Sequence, residues 1–191
     1  MTSLTKKELD TIIDISPFKK DEPFQIFVET GTYRGDTIFA MEPFFGTLHT
    51  IEIKKEFYDA CKKKYQGNKI NFHLGDSSKM LPQVLTKVQE DAVFFLDGHW
   101  SSKDTGRGEK DVPLFEELDA IHTLLQSKAL IIIDDYRLFG RHPNSLLGLK
   151  HSNEDWGAIN RRSLTARLQN RVLSSFVQGD RFVICISRKT L

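Results

Sequence analysis

Ile26-Phe27-Val28-Glu29-Thr30-Gly31-Thr32-Tyr33-Arg34-Gly35-Asp36-Thr37 is an apolar run, an acidic residue and a glycine-punctuated turn that leads into a helical pattern. The spacing predicts strand, loop, helix. An apolar run before Glu29, without polar alternation, suits a strand buried on both faces. Gly31 and Gly35 let the chain turn sharply and let a ligand approach where a Cβ would otherwise stand. Such a turn, at the open end of a strand and the start of a helix, is a place to hold a nucleotide-like cofactor. The glycines are not spaced for a dinucleotide fold, since GxGxxG is absent, and no GxxxxGK[ST] occurs in the chain.

The same alternation continues on both sides. Upstream, Thr5-Lys6-Lys7-Glu8 has the capping-box pattern ahead of Leu9, Ile12, Ile13 and Ile15, which predicts a short amphipathic helix. Downstream come a helix from Ile38 to Phe45, a strand from Leu48 to Ile53, a helix from Lys54 to Tyr65 and a strand from Ile70 to Leu74. Gly75-Asp76-Ser77 closes that strand, with Ser77 as the expected cap of a helix through Leu85. Asp91 to Leu96 is an apolar strand ending at Asp97-Gly98. A polar loop over 99–112 precedes Pro113 and a helix through Leu125, and Ala129 to Ile133 runs directly into Asp134-Asp135-Tyr136. Beyond a loop with His142, Pro143, Asn144 and Trp156 and a helix carrying Arg161, Arg162 and Arg167, two strands flank Gln178-Gly179-Asp180 as a hairpin. The expected class is α/β: a Rossmann-like, doubly wound, mostly parallel seven-stranded sheet with a C-terminal antiparallel hairpin.

The 191 residues, 39% hydrophobic and 28% charged, suit one domain with a substantial core. Within it, 1–22 forms an N-terminal helix, 24–136 a cofactor and metal core, and 137–191 the acceptor-side loop, helix and hairpin. With 27 basic against 26 acidic residues and a net charge of +1, no global field favours nucleic acid or a membrane surface. Cys61 and Cys185 match no metal or redox spacing and are read as buried thiols. The polar N-terminus has no signal-peptide core, and no run approaches a membrane span, so a cytoplasmic location is expected.

In a parallel sheet every strand delivers its C-terminal end to one edge. Here those ends carry Glu29, Glu52, Asp76, Asp97 and the pair Asp134 and Asp135. Any one of these could be a helix cap or a solvated loop residue. Their recurrence after all five strands points to a ligand with several hydroxyl or amino groups, a cation, or both. Three carboxylates on adjacent strand ends repel one another unless a divalent cation neutralises them, and oxygen-only ligation favours Mg²⁺, Mn²⁺ or Ca²⁺ over zinc.

The set Glu29-Thr30-Gly31-Thr32-Tyr33-Arg34-Gly35, Glu52 and Gly75-Asp76-Ser77 resembles the motifs of class I S-adenosylmethionine-dependent methyltransferases. That resemblance implies a cofactor site formed by Glu29, Thr30, Gly31, Thr32, Tyr33, Gly35, Asp36, Thr37, Glu52, Asp76, Ser77 and Asp97, with Glu52 accepting from the ribose hydroxyls and Asp76 near the adenine. Leu96-Asp97-Gly98-His99-Trp100 and Ile133-Asp134-Asp135-Tyr136 resemble metal-dependent O-methyltransferases, both the macrocin group acting on sugars and the catechol type. The catechol type usually has Asn where Asp135 stands and a base lysine near Asp97. Asp135 and His99 therefore favour the sugar branch. The resemblance implies Mg²⁺ or Mn²⁺ on Asp97, Asp134 and Asp135, Asp97 or His99 as proton acceptor, and His99, Trp100, Arg107 and Tyr136 at the acceptor. The partners expected are a small-molecule or glycan acceptor, with neither nucleic acid nor membrane, and an oligomer is compatible with the reading. The alternatives are a catechol or phenol O-methyltransferase and a non-catalytic cofactor-binding partner subunit; an NAD enzyme would need the missing glycine fingerprint.

Overall fold

The computed structural model describes residues 3–18, 22–101, 105–143 and 154–190; Lys103 and Asn144 lie outside these. In chain order the elements are α1 (Lys6–Ile15), β1 (Ile26–Thr30), α2 (Asp36–Met41), β2 (Thr47–Glu52), α3 (Lys55–Lys64), β3 (Ile70–Leu74) and α4 (Ser77–Leu85). They continue as β4 (Ala92–Leu96), α5 (Leu114–Leu124), β5 (Ala129–Ile133), α6 (Arg161–Leu168), β6 (Val172–Gln178) and β7 (Arg181–Ile186). The seven strands are ordered β3-β2-β1-β4-β5-β7-β6. The first five are parallel, and β7 enters antiparallel between β5 and β6. The expected doubly wound sheet with its terminal hairpin is therefore present. Its order reverses between β1 and β4, which opens a crevice at their C-terminal ends.

The unbroken apolar runs are explained by the two faces of the sheet. Side chains alternate along a strand, so Val28, Phe94, Ile131 and Ile133 enter one layer with Leu81, Leu118 and Leu164 from α4, α5 and α6. Phe27, Val93, Phe95, Leu130 and Ile132 enter the other, with Leu9 and Ile12 of α1 and Ile38 and Met41 of α2. No described helix is long and apolar enough to cross a membrane.

Local chemistry shifts several expected boundaries. The helix expected to reach Phe45 ends at Met41 and tightens into a 3-10 turn over Glu42–Phe44, where Pro43 has no N–H to continue an α-helix. At α4 the cap is Asp76 rather than Ser77: its carboxylate accepts the Ser78 N–H at 2.9 Å, and Ser77 is the first helical residue. The capping box at α1 forms as expected between Thr5 and Glu8.

Candidate functional site

The turn after β1 is held to β2 by Gly31 N–H and Thr32 N–H, which donate to the Ile51 carbonyl at 2.9 and 3.3 Å. Gly31 has φ +84°, and a Cβ there would run into the Asp97 carbonyl. Only glycine therefore lets the ends of β1 and β4 meet this closely. Glu52 closes the same turn from the side: its Oε2 accepts Tyr33 N–H at 2.7 Å and its Oε1 accepts Lys54 N–H at 2.8 Å. Glu29 is fully buried and accepts the Thr50 hydroxyl at 2.7 Å; burial pushes its carboxyl well above the usual range.

Two cavities adjoin at the crevice. The first is lined by Tyr33, Ile51, Glu52, Phe57, Asp76, Ser77, Asp97 and His99, and by Thr105, Gly106, Gly108 and Lys110 of the loop after β4. The second is lined by Ser3, Glu29, Thr32, Arg34, Asp36 and Thr37; Gly31, Tyr33 and Asp97 line both. Burial alone would raise the Asp76 carboxyl, yet the hydrogen bonds from Ser78 and the Glu109 N–H hold it below its ordinary value. Two of the expected cofactor residues line neither cavity. Gly35 is the left-handed cap of α2, and Thr30 packs its hydroxyl against Gly98.

Beside the first cavity, Asp97, His99 and Asp135 each offer a ligand atom within 4.8 Å of the others, and all three are buried. His99 spans the two carboxylates, with Nδ1 3.5 Å from Asp97 Oδ1 and Nε2 3.0 Å from Asp135 Oδ2. Burial pushes the Asp97 carboxyl up, with the Asp134 and Asp135 charges adding to it. For His99 burial acts downward, but Asp135 and Asp97 outweigh it and the imidazole is held above its usual value. Asp135 is held below its own, because His99 and Arg137 overcome its burial.

Asp134, expected among the metal ligands, does not join this cluster. Its Oδ1 lies 3.2 Å from Arg181 Nε, and His99 takes the third place. Consecutive residues leaving a strand point to opposite sides, and Asp135 itself has the left-handed φ of +59°. Of the expected acceptor residues, only His99 lines the first cavity. Trp100 carries the Arg107 guanidinium 4.4 Å above its ring, and Arg107 Nε pairs with Asp111 at 2.7 Å. Tyr136 packs among Phe139 and Phe182. Trp156 is buried, its indole N–H donating to Glu154 at 2.8 Å and its ring lying 4.9 Å from the His99 ring. It therefore packs edge-on against His99.

Three residues at the site escaped the sequence reading. Arg137 pairs with Asp135 and Asp180. Arg181 pairs with Asp134 and Glu8. Glu117 is buried on α5 beside Ser77 and Thr30. Glu117 had a readable signal: it falls on the same helical stripe as Leu114, Leu118 and Ile121, where a carboxylate is out of place.

The sequence matches no family model and no curated protein. Solved structures do share the fold. A Staphylococcus aureus protein provisionally described as a caffeoyl-CoA O-methyltransferase superposes with a TM-score of 0.59 at 15% identity, over 97% of this chain and 85% of that one. An O-methyltransferase family protein from Burkholderia thailandensis gives 0.57 at 11%, over 97% and 57%. The N-methyltransferase NodS from Bradyrhizobium japonicum gives 0.55 at 10%, over 95% and 93%. These neighbours are methyltransferases of both the O- and N-directed kinds, and the chain has their Rossmann-like fold.

Proposed function

We propose that this chain is an S-adenosylmethionine-dependent O-methyltransferase that uses a divalent cation to methylate a hydroxyl of a sugar or glycan. The observation that carries the reading is the position of Asp97. It lines both cavities at the crevice between β1 and β4 and is also one of the three buried groups that converge at cation distance. A cofactor lying across the two cavities would thus present its methyl group beside the cation site.

In this reading Glu52 and Asp76 accept hydrogen bonds from ribose hydroxyls and the adenine amino group, since both are acceptor-only carboxylates. Glu29, Asp36, Asp97 and Arg34 surround the second cavity and suit an ammonium and a carboxylate, the groups of an amino-acid end. The donor set also fits a cation. Asp97 Oδ1 is buried without a hydrogen-bond partner among the described residues, a cost that an ion would remove. Two carboxylates with an imidazole are mixed oxygen and nitrogen ligation, which shifts the preference from Mg²⁺ towards Mn²⁺. Asp97, His99 and Asp135 would hold the cation, which would supply Lewis acidity and a fixed position to an acceptor hydroxyl, both of which a poorly acidic alcohol needs. Asp97 or His99, both lining the first cavity, would accept the proton.

The acceptor class rests on what surrounds the cluster. Trp156 lies in the core and Tyr136 packs within an aromatic group, which leaves little apolar wall for a flat phenol. The loop from Thr105 to Asp111 is polar and suits hydroxyl-rich ligands. The test is transfer of labelled methyl from S-adenosylmethionine to deoxyhexose glycosides and to catechols, each with Mn²⁺ or with chelator. Transfer to glycosides that the chelator abolishes is expected. Efficient catechol methylation with none on the sugars would overturn the acceptor class, and full activity in chelator would overturn the cation.

A further inference from the structure

We propose that Arg181 is a positioning residue that holds the N-terminal segment, Ser3 to Ile15, in place so that its first residue, Ser3, walls the second cavity, and that the order of this segment and cofactor binding are therefore coupled. The proposal rests on the methyltransferase reading of that cavity.

Arg181 opens β7 and is 5% exposed. Its guanidinium reaches three separate parts of the molecule. Nε lies 3.2 Å from Asp134 Oδ1 at the end of β5, Nη1 donates to Glu8 Oε1 at 2.6 Å in the first turn of α1, and Nη2 donates to the Ser3 carbonyl at 3.4 Å. The rigid fork of an arginine can serve such divergent acceptors at once, whereas a lysine is a single point charge. Glu8 uses its other oxygen to close the α1 capping box, accepting Thr5 N–H at 2.9 Å and the Thr5 hydroxyl at 2.7 Å. The ion pair therefore anchors the beginning of the helix and not merely one side chain.

The chain just before α1 meets the cavity directly. Leu4 is fully buried and its N–H donates to the Thr37 hydroxyl at 3.1 Å; Ser3 and Thr37 both line the cavity. Leu9 and Ile12 bury the inner face of α1 in the core, so the helix has a fixed seat even where its first turn loosens. What Arg181 adds is the exact placing of residues 3 and 4 against Thr37. A ligand whose charged end lies among Glu29, Asp36 and Asp97 then meets a formed wall rather than open solvent. Its binding in turn favours the ordered segment, because coupling of this kind is reciprocal.

The experiment compares the wild-type chain with Glu8→Gln, Arg181→Lys and Arg181→Met by amide exchange over residues 4–12, titration calorimetry with S-adenosylhomocysteine, and thermal melting. Glu8→Gln alters only the partly exposed end of the pair, so it keeps the measurement meaningful if Arg181→Met fails to fold. In the wild type, S-adenosylhomocysteine should slow exchange over residues 4–12. Glu8→Gln and Arg181→Lys should speed that exchange and weaken S-adenosylhomocysteine by at least about fivefold, with the melting temperature nearly unchanged in Glu8→Gln, which leaves the buried pair of Arg181 with Asp134 intact. Faster exchange with wild-type affinity would overturn the wall, because the segment would then be loosened without consequence at the cavity. No binding to the wild type would overturn the cofactor reading and the coupling with it. Faster exchange in Glu8→Gln would then show the Arg181 contacts to be a purely structural anchor.

Discussion

His99 Nε2 stands 3.0 Å from Asp135 Oδ2, so one imidazole ties the loop after β4 to the end of β5. The same ring leaves Nδ1 facing Asp97, while Asp134, the neighbour of Asp135 in sequence, faces Arg181. The two consecutive aspartates should therefore behave differently on substitution. His99→Ala and Asp135→Asn should each weaken Mn²⁺ binding more than tenfold, since the proposed cation site takes a ligand from each. Asp134→Asn should leave Mn²⁺ affinity within a few-fold and appear instead as lost stability, on the order of 3 kcal/mol for a broken buried pair. Calorimetric Mn²⁺ titration alongside urea unfolding separates the two effects. Equal loss of Mn²⁺ binding in Asp134→Asn and Asp135→Asn would contradict the assignment.

The loop after β4 reaches the first cavity through a backbone contact that tolerates no side chain. Glu109 N–H donates to Asp76 Oδ2 at 3.1 Å, and a Cβ on Gly108 would occupy the space of that same carboxylate oxygen. Gly108→Val should lift the loop off Asp76 and remove one wall of the cavity. S-adenosylhomocysteine should then bind at least about tenfold more weakly, a loss near 1.4 kcal/mol. Stability should change by less than about 1 kcal/mol, because no residue from Thr105 to Asp111 is buried in the core. Calorimetry and thermal melting of the variant check both halves. Unchanged affinity would show that the loop does not bound the ligand.

The sheet was legible because β4 and β5 are unbroken apolar runs, β1 opens on one, and each of the five parallel strands is closed by a carboxylate or a glycine. Even the hairpin could be read, since Gln178-Gly179-Asp180 marks a turn between two strand-like runs. Which of two adjacent aspartates joins Asp97 and His99 was not legible. It depends on Arg181, which lies far along the chain and arrives beside Asp134 only when β7 pairs with β5. His99 was read as a metal-proximal base or acceptor contact for a related reason: its contact with Asp135 and the edge-on contact of Trp156 join residues far apart in the chain and leave no trace in local spacing. Asp76 displaced Ser77 as the cap because both are good capping residues and the choice turns on a single residue of register.

The His49 and His73 pair gives the fold an acid limit. His49 lies on β2 with Nδ1 3.1 Å from His73 Nε2 on β3, and burial, with the charges of His73 and Lys87, pushes its pKa down to about 4. The unfolded chain takes up this proton at a higher pH than the folded one. Stability is therefore fully present above about pH 6.5 and falls as pH drops towards 4. Urea unfolding at pH 7 and at pH 5 should show the loss, and His49→Gln should reduce it.

Glu117 imposes the opposite slope at neutral pH. It is buried on α5 beside the Ser77 and Thr30 hydroxyls, although neither of its oxygens makes a well-formed hydrogen bond to a described residue. Burial pushes its pKa up to about 7. A carboxyl with a raised folded pKa keeps its proton when the unfolded chain has already released it, so the folded state loses stability as pH rises from about 4.5 to 7. Above that range the penalty is complete and constant, on the order of 3 kcal/mol. Glutamine has the same shape and cannot ionise. Glu117→Gln should therefore match the wild type near pH 5 and exceed it at pH 8, with a melting temperature higher by several degrees for a chain of this length. Melting both proteins across pH 5 to 8 isolates this group, because every other titration is common to the two. Parallel curves would mean that Glu117 is ionised in the folded protein, with a cation or basic group compensating its charge.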